Sequence, residues 1–393
     1  MMNIESRVIS YIKTHTTDMF SLLEKMVLIQ SGSHNKKGVD RVSNLIKTFF
    51  QSNGTSCRVI EQTEFGNHLV VKSLCEEYSE KQILLVGHMD TVFPKDTDFN
   101  WYKEDSAKCY GPGVIDMKGG LVAGIFALKT LDSIGLLKKI PITFIFNSDE
   151  EIGSPNSRTI IKDEANKSAC AFVLENGGLE GEVVTGRKGN LVIKLNVIGK
   201  AGHAAFADKN KTSAILELAH KIIEIESLND FERGITVNAG KIEGGIGPNS
   251  VPDRATAFVD LRFYRQSGYP FLKKQIEEII EKPNIPGTTC DLQIISSRLP
   301  MEQNGTNRKL FRTTKEVAES LGFPIKEEFR YGVSDANIIA EQNVPVLDGM
   351  GPVGAKDHSK DEYMVKESLS QRSALLAASI IECSERYLKK NGN

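Results

Sequence analysis

The chain has 393 residues, with 49 basic and 51 acidic side chains and a formal charge of −2. That length exceeds what one hydrophobic core usually serves and implies two domains, while the nearly cancelling charge, without a basic run, argues against nucleic acid as a partner. Six scattered cysteines with no Cys-x-x-Cys pair give neither a disulfide framework nor a thiolate zinc site. No run of eighteen apolar residues offers a membrane span, and Met1 to Arg7 lacks a charged segment leading into an apolar core, so a cytoplasmic protein is expected.

In chain order, Ile4, Val8, Ile9 and Ile12, then Met19, Leu22, Leu23, Met26 and Val27, predict two amphipathic helices within residues 3–30. A third is predicted from Val39 to Gln51, closing at Asn53-Gly54. Short β-rich segments follow at Cys57 to Ile60 and His68 to Ser73. The apolar run from Ile83 to Val86 then fits a strand buried on both faces, although a buried helical piece has the same periodicity. In parallel sheets chemistry sits beyond the carboxyl ends of the strands. This run ends at Gly87 and delivers His88 and Asp90, which face one side of an extended backbone. That spacing lets the carboxylate take the imidazole N–H and aim the other ring nitrogen at a cation.

A polar, turn-rich loop leads to Gly111-Pro112-Gly113 and Asp116-Met117-Lys118-Gly119-Gly120, before an apolar helix from Leu121 to Leu131. Locally, Asp116 fits a helix N-cap; the flanking glycines also admit a ligand role. Pro141 to Phe146 is a second buried strand, ending in Asp149-Glu150-Glu151, and Ala171 to Leu174 a third, ending in Glu175. Adjacent side chains point in different directions, so Glu150 and Glu151 can divide labour between a proton and a metal. Strands alternating with helices give an α/β fold.

From Arg187 the pattern changes. Strands at 191–198, 235–242, 255–262 and 290–296 and helices at 212–225 and 269–280 run in the order β-α-β-β-α-β, the ferredoxin-like arrangement. An inserted α+β domain is therefore expected at 187–297, splitting the first domain into 1–186 and 298–393. The insert carries His203, Asn249 and Arg262, each with an ordinary alternative as a loop histidine, a turn residue or one member of a surface ion pair. After it come a helix at about 309–320, another opening at Ser334-Asp335, a strand at 344–347, a glycine-rich loop holding His358, and a closing helix at 371–388.

His88, Asp116, Glu151, Glu175 and His358 together offer two imidazoles and three carboxylates, a donor set suited to a pair of zinc ions, with cobalt or manganese as alternatives. Hydrolysis is the natural reaction of such a centre. The segments Gly87 to Val92, Gly111 to Gly120, Asp149 to Ser154, Glu175, Gly202-His203-Ala204, Pro248-Asn249-Ser250 and Gly354 to His358 resemble, in sequence order, the di-zinc exopeptidase and aminoacylase family. Its members include carboxypeptidase G, acetylornithine deacetylase and succinyl-diaminopimelate desuccinylase.

That resemblance implies a zinc-exopeptidase-like mixed sheet flanked by helices, with the insert as a lid through which a homodimer forms. It implies that Asp116 bridges two zinc ions, with His88 and Glu175 completing one and Glu151 and His358 the other, and that the Asp116–Met117 peptide bond is cis. Asp90 would orient His88, Glu150 would be the general base, His203 would donate to the oxyanion, and Asn249 and Arg262 would hold a substrate carboxylate. Glu175 resembles the carboxypeptidase G, aminoacylase and desuccinylase side of the family more than the tri- and dipeptidase side, and the segments Tyr331 to Ala336 and Leu347 to Gly349 look most similar to G-type glutamate carboxypeptidases. An aminoacylase, deacetylase or dipeptidase acting on N-acyl amino acids or small peptides is the alternative.

Overall fold

A computed structural model describes residues 3–51, 54–77 and 79–388, so Met1, Met2 and the helix stop expected at Asn53 lie outside the described residues. The chain divides into two compact units, Met1–Gly186 with Gln303–Phe329 and Ser334–Asn393, and Arg187–Glu302 with Arg330–Val333.

In chain order, the first unit begins with helices α1 (Ile4–Thr14), α2 (Thr16–Val27) and α3 (Lys36–Thr48) and strands β1 (Thr55–Ile60), β2 (His68–Ser73) and β3 (Gln82–His88). Helix α4 (Gly119–Ser133), β4 (Ile142–Asn147), α5 (Arg158–Asn166) and β5 (Ser168–Val173) follow. The second unit contributes β6 (Gly189–Ile198), α6 (Ala214–Glu226), β7 (Thr236–Gly244), β8 (Arg254–Phe263), α7 (Gly268–Ile280) and β9 (Thr289–Arg298). The chain then returns to the first unit with α8 (Gly305–Ser320), α9 (Asp335–Ala340), β10 (Val346–Leu347) and α10 (Lys366–Cys383). The closing helix thus starts five residues earlier than its periodicity suggests and continues from Ser384 to Leu388 as a wider π-helical turn.

The main sheet is mixed, in the order β1-β2-β4-β3-β5-β10. β2 runs antiparallel to both neighbours, whereas β4, β3, β5 and β10 are parallel. Helices cover it, which is why β3, β4 and β5 are apolar almost throughout rather than alternating. Helix α4 is buried nearly all round, because it packs against the sheet side of α1, α2 and α10. Its close approach rests on Gly120, where a Cβ would stand 1.9 Å from the carbonyl oxygen of Leu174.

The second unit is an antiparallel sheet in the order β7-β8-β6-β9, the ferredoxin-like arrangement. Ala255, Ala257, Val259, Leu261 and Phe263 alternate inward along β8 and meet Leu218 and Leu272 from α6 and α7, forming a core of its own. Asp260 and Arg262 fall on the opposite face of the same strand. Among the described residues no helix is long and apolar enough to cross a membrane.

Candidate active site

Because β4, β3 and β5 are adjacent and parallel, their carboxyl ends deliver side chains to one place. His88 closes β3, paired in register with Asn147 of β4; Glu150 and Glu151 follow β4, and Glu175 stands two residues beyond β5. His88 is buried, and its Nδ1 lies 2.9 Å from the carbonyl oxygen of Asp90. An acceptor there fixes a proton on Nδ1 and points Nε2 into the site. The Asp90 carboxylate, expected to take this N–H, stands farther off, with Oδ1 at 3.5 Å.

The Asp90 carboxylate also ties down the neighbouring loops. It accepts from Ser33 Oγ at 2.7 Å and from the backbone N–H groups of Glu150 and Glu151, both at 3.2 Å. One buried carboxylate thus ties the His88 strand to the turn that presents the two glutamates.

Asp116 is not the N-cap of α4. That position belongs to Lys118, and Asp116 has non-helical angles (φ −118°, ψ 91°) in the irregular turn before it. The local cap pattern loses because the Asp116 side chain is drawn between two imidazoles, Oδ1 at 3.1 Å from His88 Nε2 and Oδ2 at 3.1 Å from His358 Nε2. Glu175 Oε1 lies 3.5 Å from His88 Nε2, and Glu151 Oε2 lies 3.3 Å from His358 Nε2. The five candidate ligands therefore form two His-carboxylate clusters sharing Asp116. The Asp116–Met117 peptide bond is cis. Glu150 has a ligand atom within 4.8 Å of those of His88 and Glu175.

Three carboxylates this close demand positive charge. Burial opposes a charged ring at His88, yet Glu175, Asp116 and Asp90 raise its pKa well above the ordinary value. Hydrogen bonds to Asp116 and Glu151 push His358 up to about 11. Burial raises Glu151 to about 7 against the pull of His358, and raises Glu175 to about 8 against that of His88. Burial also works against a charged Asp116, but the hydrogen bonds to His358 and His88 outweigh it and hold the carboxyl well below its usual range. Glu151 Oε1 is buried without a hydrogen-bond partner, an arrangement that is costly unless a cation completes it.

Nitrogen and oxygen donors, a shared carboxylate and an orphaned carboxylate oxygen all fit divalent metal. Metal added at about 100-fold over its dissociation constant should stabilise the fold by about 2.7 kcal/mol. In a melt this would separate loaded from chelator-treated protein by about 3–5 °C; coincident melting curves would contradict a metal site here.

Two contributors were not anticipated from sequence. Glu362, fully buried, accepts from the backbone N–H groups of Gly113 and Ile115 at 2.9 Å and of Asp116 at 3.1 Å, and so clamps the loop that presents the shared carboxylate. Nothing in Lys360-Asp361-Glu362 sets this residue apart from a solvated loop; its place four residues after His358 is the only hint. Asp357 also falls within ligand distance of Asp116 and His358.

His203, Asn249 and Arg262 belong to the second unit. There, Gly202–His203 pairs with Ser250–Val251, and Ala204 N donates to the Asn249 carbonyl at 2.9 Å, so the first two candidates share one structural corner. Arg262 is engaged by Asp260, its Nε and Nη2 each donating at 2.7 Å. This is the in-strand ion pair that side-by-side placement on β8 allows.

Residues 84–382 match the family model described as peptidase family M20/M25/M40. Carboxypeptidase G2 of Pseudomonas sp. (strain RS-16) is 27% identical over 367 residues, covering 91% of this chain and 87% of that protein. Succinyl-diaminopimelate desuccinylase of Rickettsia akari (strain Hartford) is 29% identical over 306 residues, covering 72% and 79%. Among solved structures, aminopeptidase PepT from Bacillus cereus ATCC 10987 superposes with a TM-score of 0.79 at 20% identity, covering 94% of this chain and 99% of that one.

Proposed function

The chain belongs to peptidase family M20/M25/M40 and is a metal-dependent hydrolase, and from that premise we propose that it cleaves an amide beside a free carboxylate, as a glutamate carboxypeptidase of the G type. The observation that carries the reaction class is the shared Asp116, 3.1 Å from each of two histidines, with Glu150 beside them. The substrate class is supported by similarity to the relative named carboxypeptidase G2 over most of both chains.

In this proposal His88, Glu175 and Asp116 would hold one zinc ion and Glu151, His358 and Asp116 the other. Bound there, the cations would supply Lewis acidity toward a carbonyl and ease the deprotonation of water. The protein's own residues do the rest. Glu150 takes the proton of the attacking water and passes it to the leaving nitrogen. Asp90 keeps the His88 ring and the Glu150–Glu151 turn in fixed register. His203 donates to the oxyanion. Asn249 and Arg262 hold the substrate carboxylate, with Asp260 orienting the guanidinium through the two nitrogens it already engages.

The test is amino-acid release by zinc-loaded protein from folyl-glutamate, N-acyl amino acids and dipeptides. We expect acyl-glutamates to be the preferred substrates. The second reading, an aminoacylase, deacetylase or dipeptidase, is motivated by the similar desuccinylase and would replace the first if acetylated, succinylated or dipeptide substrates were turned over faster.

The proposal includes a homodimer formed through the second unit. β7 is an edge strand of that unit's sheet, its outer half is exposed, and Ile242 on it and Ile223 on α6 are 58% and 68% exposed. An exposed sheet edge, here with one isoleucine between Lys241 and Glu243, offers backbone groups for pairing with a second copy. Ile242→Lys should shift the sedimenting species from dimer to monomer; a wild-type monomer would refute the assembly.

A further inference from the structure

Beside the metal-ligand cluster, the first unit has a cavity of about 270 Å³. Its walls are two cross-linked loops. Thr91 N donates to the Ser31 carbonyl at 3.0 Å, Ser33 N to the Thr91 carbonyl at 3.2 Å, and Gln30 Nε2 to the Phe93 carbonyl at 2.8 Å. Gly32 permits this contact, since a Cβ there would stand 2.1 Å from the Phe93 oxygen. Behind the wall, Phe93 packs edge-on against Phe99, which packs edge-on against Trp101, at centroid distances of 4.9 and 5.1 Å. The cavity is therefore held in shape by hydrogen bonds and aromatic packing before any ligand enters.

Its lining combines apolar side chains with basic ones at the rim. Val92, Phe93, Pro94 and Ile152 form the apolar part, with exposed His34 and Lys95 at the edge. Glu151, one of the five candidate ligands, is itself a wall, and Ser33 in the opposite wall is bonded to Asp90. A group in this cavity is thus adjacent to the reacting centre. Glu151 makes it unfavourable for a second carboxylate, and among the described residues no arginine lines it. An uncharged apolar group suits it, and an apolar cavity of about 150 Å³ already admits benzene.

We infer that this cavity is the subsite for the acyl half of the substrate and selects aromatic or branched aliphatic acyl groups, with Val92, Phe93, Pro94 and Ile152 as its specificity-determining surface. This rests on the acyl-amino-acid reading given above. The amino-acid half, which carries the free carboxylate, meets only the exposed His34 and Lys95 at the rim here and is left to the arginine and asparagine already proposed for it.

The experiment compares N-benzoyl and N-formyl derivatives of one amino acid on zinc-loaded full-length protein. Val92 is 39% exposed, so Val92→Trp can fill the cavity from its mouth, and Val92→Phe is a milder version should the larger ring impair folding. Metal content and melting temperature serve as controls for both. The expected result is a fall in kcat/KM of about 10–100-fold for the benzoyl substrate with Val92→Trp, a smaller fall with Val92→Phe, and less than about 2-fold for the formyl substrate with either. An equal effect on both substrates, or none on either, would overturn the subsite while leaving the hydrolase reading intact. Failure of wild-type protein to cleave any acyl amino acid would overturn the substrate reading, and the subsite with it.

Discussion

Glu150→Gln should lower kcat/KM by about 10²–10⁴-fold, the usual contribution of a positioned general base, while the protein keeps its full complement of metal. The substitution preserves volume and leaves the backbone N–H of residue 150 free to donate to Asp90 Oδ1, a contact of 3.2 Å in the native chain. The turn should therefore survive, and with it the placement of Glu151. What disappears is the capacity to accept a proton beside His88 and Glu175, whose ligand atoms lie within 4.8 Å of that of Glu150. Steady-state rates on an acyl-glutamate, paired with elemental analysis, separate the two effects. A loss below tenfold would remove Glu150 from the proton-transfer role, and a proportionate loss of metal would make it a ligand instead.

Asp116→Ala should abolish turnover to background by a different route, through the metal. Each oxygen of this carboxylate faces a different imidazole, so no single remaining group can serve both clusters. The variant should bind at most one metal ion per chain where two are proposed for the wild type, and the metal-dependent gain in melting temperature should shrink or vanish. Its metal-free stability should change by no more than about 1–3 kcal/mol, the range for losing hydrogen bonds to charged partners, because the loop stays clamped by Glu362 through the backbone N–H groups of residues 113, 115 and 116. Isothermal titration with zinc would decide it. Two sites of undiminished affinity in Asp116→Ala would end the bridging role.

These two outcomes concern residues whose chemical type was legible in the chain. An apolar run ending in His88-Met89-Asp90, another ending in Asp149-Glu150-Glu151 and a third ending in Leu174-Glu175 announce buried strands carrying polar groups at their carboxyl ends. The structure adds that the three strands are neighbours and parallel, in the order β4-β3-β5. That adjacency brings together candidate ligands as far apart in sequence as His88 and Glu175. For Asp116, local pattern and observed placement diverge, since the helix N-cap its sequence context suggests is Lys118 and its side chain lies between two histidines instead.

What the sequence determined by itself is therefore the set of chemical groups and the alternation of elements that hold them. Apolar periodicity sets helix or strand locally, through which faces must leave water. The second unit shows this most directly, since the inward alternation of Ala255, Ala257, Val259, Leu261 and Phe263 places Asp260 and Arg262 together on the other face of β8. What only the tertiary structure decided is which distant groups share a proton, a carboxylate or a cavity. Asp90 bonding to Ser33 and to the Glu150–Glu151 turn, Glu362 holding the Asp116 loop, and the apolar recess between residues 31–35 and 91–95 all depend on the order in which strands and loops pack. No local periodicity records that order, because buried hydrogen bonds are satisfied by whatever partner the completed core brings within reach.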